Sequence, residues 1–328
     1  MLQFHYMAPW VPGFTHAVEA ELIASENKPP FTPFQLATID SKTGFPKNRT
    51  LVYRGFLFDD KSNSTLTFTT DKRMDKYDEL LHNDRFEAVF YFGRTKKQFR
   101  FSGRARIIDD AHRPSIDLAS IQPSTLIENN HKKSLKRAKE YDNSDSEYLE
   151  SENDEEHHHH HHHHQHHQHH QHNQTNNNNT IKQHIYNPQS VPISCSLLSP
   201  SLLSQFNNDS TSDLAYSTLN ELSHLSYIPP TDQEWSDEIE RQWNGLSKGL
   251  KKSFRKPSPL TPLTDEHVKL MDSINRGVDG KKDDHGKKNF AVVAMFIDRV
   301  DLVELDKDRR YIYVKDPHQL WSEEEVCP

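Results

Sequence analysis

Cysteine is nearly absent from this sequence, and the shortage excludes one class of protein at once. The 328 residues include only two cysteines, Cys195 and Cys327, and no CxxC pair. Two cysteines cannot form the disulfide framework that stabilises small secreted domains. We therefore expect a protein of a reducing compartment, the cytoplasm or also the nucleus.

Long apolar runs and an excess of basic residues are missing as well. No stretch of 18 apolar residues occurs, and residues 1–12 lack the charged start and apolar centre of a secretion signal. The 40 basic and 48 acidic residues give a net charge of -8, whereas nucleic-acid-binding proteins normally carry a basic field. We expect neither a membrane span nor a nucleic-acid partner.

The middle of the chain consists of low-complexity tracts. Residues 143–156 are acidic and serine-rich, residues 157–172 are almost all histidine and glutamine, and residues 173–179 are mostly asparagine. Such tracts have little to bury and stay unfolded. Histidine runs can hold transition-metal ions loosely, but this run has no fixed tetrahedral geometry, and repeat slippage explains it more simply. We therefore predict no metal site.

The shortage of hydrophobic residues follows this division of the chain. Hydrophobic residues make up 33% of the sequence and the mean hydropathy is -0.91, which is low for a chain that is folded throughout. The sequence predicts an N-terminal part (1–112), a disordered low-complexity insert (113–230) and a C-terminal part (231–328) that completes the same domain.

Hydrophobic periodicity predicts a mainly β fold with helices, of the α+β class. Before the insert, it predicts helices over 14–25 and 71–84 and strands over 34–40, 49–58, 65–70, 86–92 and 97–109. After the insert, it predicts helices over 235–254 and 264–276 and strands over 289–305, with a turn near Asp298, and 308–314. An isolated strand pair is only marginally stable. The two late strands should therefore complete the early sheet as a small barrel.

Three basic residues, Lys72, Arg73 and Lys76, fall in the first turn of the predicted helix 71–84. The helix dipole favours acidic residues at that end. An anion such as a phosphate would explain the bases, because it would also use the free backbone N–H groups there, with Asp71 as the N-cap. The alternative is a solvated face on which these bases pair with acids of the same helix.

Two arginines bracket an apolar strand, and a glutamine begins a later one. Arg49 and Arg54 each need an acidic or phosphate partner if they are buried. Their spacing of five places them on opposite faces of a regular strand, so one ligand could meet both only at a strand end or a bulge. Gln98 could offer both a donor and an acceptor to the edge of a heterocycle, or it could lie on an exposed polar face.

Several segments together resemble a known family. APW (8–10), QLAT (35–38), RTLVYRGF (49–56) and, late in the chain, RVDLVEL (299–305) followed by RRYIYV (309–314) occur in the family's order and spacing. They resemble the FMN-binding half of pyridoxamine 5′-phosphate oxidase, and more closely a divergent branch of oxidase-like FMN-binding proteins. The resemblance covers about residues 8–110 and 230–328.

This resemblance implies an FMN-binding split β-barrel that forms a homodimer, with FMN at the subunit interface. Lys76 corresponds to a phosphate-binding lysine, and Arg73 could replace the arginine that the family has where this chain has Asp75. Gln98 corresponds to a residue that contacts the flavin ring. The full set of implied FMN-binding residues is Arg49, Thr50, Leu51, Val52, Arg54, Thr69, Thr70, Arg73, Lys76, Gln98 and Arg310.

The substrate half of the family's site has no visible counterpart. A late Arg-x-His that reads the substrate phosphate in the oxidase corresponds here to Asp306 and Asp308, whose charges disfavour a phosphate. The sequence therefore predicts an FMN-dependent oxidoreductase that acts on an unknown small-molecule substrate and has no identifiable catalytic residue. The alternative is a flavin-binding or flavin-sensing protein without turnover.

Overall fold

The computed structural model describes residues 7–118, 187–201, 204 and 228–328. These residues belong to one compact unit, and a second unit, 124–185, lies outside them. The acidic, histidine-rich and asparagine-rich tracts on which we predicted disorder also lie outside the described residues. Within the described part of the chain, no helix has the length and apolar character needed to cross a bilayer, and no cluster of metal-binding side chains occurs.

Five helices and ten strands lie wholly within the described residues, apart from short 3-10 turns. The helices are α1 (Val11–Ala24), α2 (Asp75–His82), α3 (Asp232–Asn244), α4 (Lys248–Ser253) and α5 (Asp265–Arg276). The strands are β1 (Pro33–Ile39), β2 (Pro46–Val52), β3 (Thr65–Asp71), β4 (Arg85–Phe92), β5 (Lys97–Ile108), β6 (Ile116–Asp117), β7 (Ile193–Ser194), β8 (Phe290–Glu304), β9 (Arg309–Lys315) and β10 (Trp321–Val326).

Strand β8 is the centre of the sheet. The strand order is β10-β9-β8-β5-β4-β1-β2, and β3 also pairs with β8. β5 runs along one edge of β8, while the other edge pairs with β3 over 290–296 and with β9 over 299–304. Hydrogen bonds between the end of the β2 segment and β3 close the circle. The result is a six-stranded barrel from which β9 and β10 diverge, which confirms the predicted mainly β fold.

Aromatic side chains fill the barrel. Phe34 and Phe90 stack with their ring centroids 4.6 Å apart. Phe14 on α1 makes edge contacts with both Phe90 and Phe101, at 5.1 and 5.2 Å. Burial of a phenylalanine contributes about 1.5–3 kcal/mol. The alternation in β4 and β5 therefore places the main stabilising residues inside, where α1 packs against them.

A second apolar core covers only part of the outer surface. Trp235 and Trp243 on α3 are buried against the outer face of β8 near Phe290, and the Trp243 and Phe290 ring centroids are 5.2 Å apart. A capping box of Thr231 and Glu234 starts α3. Among the described residues, no such core covers the outer face of the second half of β8 and the adjoining parts of β5 and β9, and Val314 there is exposed.

The described residues correct part of the predicted insert. Residues 187–201 lie inside the range 113–230 that we predicted as disordered, yet they pack on the barrel. The Gln189 side chain accepts from Ile107 N at 2.9 Å and donates to Leu80 O at 2.8 Å, and β7 pairs with β6. The alternating apolar residues Ile193, Cys195 and Leu197 all join the second core. That alternation was the available signal, and the polar composition around it concealed it.

Several predicted elements differ in extent, and the helix predicted over 235–254 is divided at Gly245 into α3 and α4. β2 ends at Val52 rather than Phe58, because the following residues turn to meet β3, with Gly55 at φ +96°. Helix α2 begins at Asp75, and its N-cap is Met74 rather than Asp71, which still belongs to β3. No turn ends β8 near Asp298, but the strand has a bulge at that residue. β10 was not predicted, because its exposed sequence contains three consecutive glutamates.

A bulge in β8 shifts its register against β5. Ser102 pairs with Arg299 and the next residue, Gly103, pairs with Ile297, so Asp298 is the extra residue of β8. A Cβ atom at Gly103 would lie 2.0 Å from the carbonyl oxygen of Phe296, so only glycine permits this close approach of the two strands.

Candidate functional site

The facing edges of β2 and β3 are hydrogen-bonded to each other at one end only, which leaves an opening in the hydrogen bonding of the barrel wall. The two segments meet where Arg54 N donates to Thr67 O and Thr67 N donates to Gly55 O, both at 2.9 Å. Beyond that point, no strand of the described chain pairs with the facing edges of β2 and β3. Helix α2 lies against the far end, since its Glu79 contacts Arg49. We call this opening the β2–β3 cleft; its predicted site residues are Arg49, Thr50, Leu51, Val52, Arg54, Thr69, Thr70 and Lys76.

Lys76 is a buried base that forms no ion pair with an acid of the described residues. The residue is 9% exposed, and its Nζ contacts the Met74 sulfur at 2.8 Å. No carboxylate in the described part of the chain lies within 4.0 Å of this nitrogen. Burial, and next the positive charge of Arg49, lower the pKa of Lys76 to about 8. A buried ammonium group without a counter-ion is costly, so this position favours an anionic ligand.

Arg49 lies beside Lys76 and is held by protein groups on one side. Its Nη2 is 2.7 Å from Glu79 Oε2, and its Nη1 donates to Thr38 Oγ1 and, at 3.0 Å, to the Lys47 carbonyl oxygen. Glu79 is the buried acid beside the two bases, while Asp71, which pairs with Arg73, and the exposed Asp75 act on Lys76 without contacting it. Two adjacent bases in a partly desolvated place suit a phosphate ester better than a neutral ligand.

Arg54 lies at the end of the cleft where β2 and β3 meet. Its Nε is buried and has no hydrogen-bond partner among the described residues, and burial lowers the pKa of its guanidinium. On β3, Thr69 is half-buried and pairs with Val292, while Thr70 is buried. Because side chains alternate along a strand, the Thr69 and Thr70 side chains point to opposite faces of β3.

Arg73 and Lys72 are engaged elsewhere. The Arg73 guanidinium binds Asp71 through Nε at 2.9 Å and Nη2 at 2.6 Å, and its Nη1 donates to the Lys256 carbonyl oxygen at 2.7 Å. Lys72 pairs with Asp109 at 3.3 Å. Both bases therefore pair with acids, but with Asp71 and Asp109 rather than with acids of the same helix, as the alternative had proposed. Arg73 as a phosphate ligand has no support in this geometry, because all its nitrogens already have protein partners.

Gln98 and Arg310 lie together, away from the cleft. Val303 of β8 pairs with Gln98 of β5 on one side and with Arg310 of β9 on the other. Directly opposed residues share a face of the sheet. The two side chains therefore lie on the uncovered outer face. Arg310 is paired with Asp301, a partner that the sequence pattern did not indicate.

In the sheet of a single chain, Gln98 and Arg310 are separated from Arg49 by several strands. Arg49 pairs with the core residue Leu36, so it starts from the inner face of the barrel. β1 and β4 separate β2 from β5, and three strand spacings amount to about 14 Å. Eight of the predicted residues thus lie along the cleft, and Gln98 and Arg310 form a second group. Arg73 belongs to neither group, because it binds Asp71 and the Lys256 carbonyl oxygen.

Comparison with known proteins agrees with this fold. Residues 7–109 match the family described as pyridoxamine 5′-phosphate oxidase, FMN-binding domain. The chain is 36% identical to the uncharacterized protein YGR017W of Saccharomyces cerevisiae over 345 residues, or 99% of each chain. The protein therefore belongs to the pyridoxamine 5′-phosphate oxidase FMN-binding family.

Two further relatives extend the comparison. Pyridoxine/pyridoxamine 5′-phosphate oxidase 2 of Arabidopsis thaliana is 38% identical over 104 residues, which cover 32% of this chain and 48% of that protein. The solved structure of a pyridoxamine 5′-phosphate oxidase-related, FMN binding protein from Nostoc punctiforme superposes with a TM-score of 0.52 at 18% identity, covering 99% of this chain and 100% of that one. This second likeness shows the fold.

Proposed function

We propose that the protein binds FMN in the β2–β3 cleft, with the phosphate on Lys76 and Arg49. The observation that carries the proposal is the buried Lys76 ammonium group, which has no acid within 4.0 Å among the described residues. A phosphate would supply the missing negative charge, and Arg49 could add a charge-assisted hydrogen bond. The unpartnered Nε of Arg54 offers a further donor nearer the other end of the cleft.

We further propose a homodimer in which each cleft is completed by the second copy. Gln98 and Arg310 lie on the outer face of the sheet, whereas Arg49 starts from the inner face of β2, which β1 and β4 separate from β5; in our proposal these two groups therefore contact the same flavin from different copies. A two-fold interface places the same surface patch on both copies. The uncovered face of β5, β8 and β9 is such a patch, and it would bring Gln98 and Arg310 of the partner subunit to the flavin ring.

The phosphate can be tested by comparing FMN with riboflavin, which lacks it. We expect purified protein to show flavin absorbance, and apo protein to bind FMN more than about 100-fold more tightly than riboflavin, since two charge-assisted contacts contribute about 3 kcal/mol or more. Quenching of flavin fluorescence measures both affinities. Colourless protein that does not bind added FMN would refute the proposal, and equal affinities would refute the phosphate contact.

The chemistry that we propose is FMN-dependent oxidation or reduction of a small molecule without a phosphate group. Bound flavin supplies the two-electron chemistry, and the protein supplies its binding and orientation. Asp306 and Asp308 are exposed in the turn after β8, close in sequence to Arg310. Their negative charges would repel a phosphorylated substrate and accept a neutral or cationic one.

Turnover separates an oxidoreductase from a flavin-binding protein. With the flavin chemically reduced under anaerobic conditions, we expect its reoxidation by oxygen or another acceptor to be faster than that of free FMN, and a neutral or cationic substrate to reduce it again. Absorbance of the oxidised flavin follows both steps. Stable flavin binding with no acceleration by any acceptor would instead support a binding or sensing role.

A further inference from the structure

Asp301 is a buried carboxylate that joins two arginines on the uncovered sheet face. It lies in the second half of β8 and is 1% exposed. Arg310 binds it twice, with Nε to Oδ1 at 3.0 Å and Nη2 to Oδ2 at 2.8 Å. Arg100, directly opposite on β5, donates from Nη2 to the same Oδ2 at 2.5 Å. Burial opposes ionisation, but the hydrogen bonds from Arg310 and Arg100 lower the pKa of Asp301.

This geometry fixes which side of Arg310 faces outward. The Nε and Nη2 edge is occupied by Asp301, which leaves Nη1 for another acceptor. A free arginine side chain loses up to about 2 kcal/mol of rotamer entropy when it is ordered. Asp301 imposes that order before a ligand arrives. Without it, Arg310 on an exposed strand would sample many rotamers.

The same contacts set the charge of the cluster. Two guanidinium groups share one carboxylate, so Arg100, Asp301 and Arg310 carry a net charge of +1. Glu87 is the other acid near Arg100, at 3.9 Å, but it is exposed, so water and salt screen it. The Arg100 and Arg310 side chains remain 38% and 31% exposed, which allows them to act on a molecule placed against this face.

We propose that Asp301 is a positioning residue that orients Arg310 toward the flavin and limits the positive charge the flavin experiences. This inference rests on the proposed function. A reduced flavin carries more negative charge than an oxidised one, so nearby positive charge favours reduction. By offsetting one of two arginines, Asp301 keeps the reduction potential of the bound flavin lower than the arginines alone would set it.

The substitution Asp301→Asn tests the charge while preserving the shape of the side chain. It raises the charge of the cluster from +1 to +2. We expect the reduced flavin to gain about tenfold in affinity relative to the oxidised one, which corresponds to about +30 mV for a two-electron couple. Spectroscopic redox titration against a reference dye measures the shift. An unchanged or more negative potential would overturn the inference.

Three further variants isolate the role of Asp301. Asp301→Glu restores the charge and should return the potential toward that of the unaltered protein. Asp298→Asn removes an acid from the same strand, 54% exposed and paired with Lys315 at 3.4 Å, and should leave the potential unchanged. Arg100→Gln removes a positive charge but leaves the Arg310 pair intact, so it should shift the potential to a more negative value. It also provides the test if Asp301→Asn does not fold.

The outcomes distinguish this inference from the proposed function. If the unaltered protein binds no FMN, the proposed function fails first. The unaltered protein could instead bind FMN while Asp301→Asn, Arg100→Gln and Asp298→Asn all show the same flavin reduction potential as the unaltered protein. In that case only the role of Asp301 is refuted. A purely structural role for Asp301 would lower the melting temperature of Asp301→Asn without moving the potential, and would likewise overturn the inference.

Discussion

Replacement of Lys76 by methionine is expected to stabilise the flavin-free protein and to remove most of its affinity for FMN. The folded protein holds the pKa of Lys76 near 8, against an ordinary value of 10.5. At pH 7 the residue is charged in both the folded and unfolded states, and its burial then costs up to about 3 kcal/mol. Methionine fills the same space without charge, so the free energy of unfolding should rise by part of that amount.

The pH dependence gives this prediction a definite sign. Between the folded pKa of about 8 and the ordinary value near 10.5, the unfolded chain binds more protons than the folded protein. The stability of the unaltered protein should therefore increase with pH across this window, while that of Lys76→Met lacks this increase. Urea denaturation of flavin-free protein at pH 7 and pH 9.5 measures both trends.

The loss of affinity should be specific to the phosphate. FMN binding should weaken by about 30-fold or more in Lys76→Met, because a charge-assisted contact contributes about 2 kcal/mol or more, whereas riboflavin binding should change little. Lys61→Met is a matched control, because Lys61 is 50% exposed and its ion pair with Glu19 is long, at 3.9 Å. This variant should keep its affinity for FMN. If Lys76→Met kept full affinity for FMN, the phosphate would have to lie elsewhere.

Two defective subunits are expected to restore one another when they are mixed. Lys76→Met damages the cleft, and Arg310→Ala damages the group that we expect to complete the cleft of the partner subunit. Each variant alone should hold little flavin. In statistical heterodimers, one of the two sites combines an intact cleft with an intact Arg310, so co-expression should restore flavin to about a quarter of all sites. Bound flavin per subunit, measured by absorbance, gives the fraction.

The control mixture uses two defects within one cleft. Co-expression of Lys76→Met with Arg49→Ala leaves every cleft with one damaged residue, so no site should recover. If the mixture of Lys76→Met and Arg310→Ala also failed to recover, a site shared between subunits would be refuted. If Arg310→Ala alone retained full flavin, Arg310 would not be a binding residue.

Local patterns predicted the strands well because burial alternates along them. Phe99 and Phe101 of β5 are both in the barrel interior, as their spacing indicated. The late strands also joined the early sheet, since an isolated pair has too little core. The resemblance to the family implied a phosphate-binding role for Lys76; the structure shows that the residue is buried, and the role itself stays a prediction.

The rest depended on contacts between distant parts of the chain. Nothing near Arg73 shows that the backbone at Phe254 and Lys256 returns to accept its hydrogen bonds. The partnership of Asp301 with Arg310 and Arg100 likewise needs three strands in register. A sequence pattern reports which face a residue occupies, but the choice among several oppositely charged partners is made only when the strands assemble.

The position of β8 has a consequence for the evolution of the chain. The matched FMN-binding domain ends at residue 109, yet the strand that pairs with β3, β5 and β9 begins at Phe290. A fragment confined to the matched domain would leave β3 and β5 with open edges and an incomplete wall. Selection that maintains the matched domain must therefore also maintain the residues from Phe290 onward, because their loss would open the wall formed by β3 and β5.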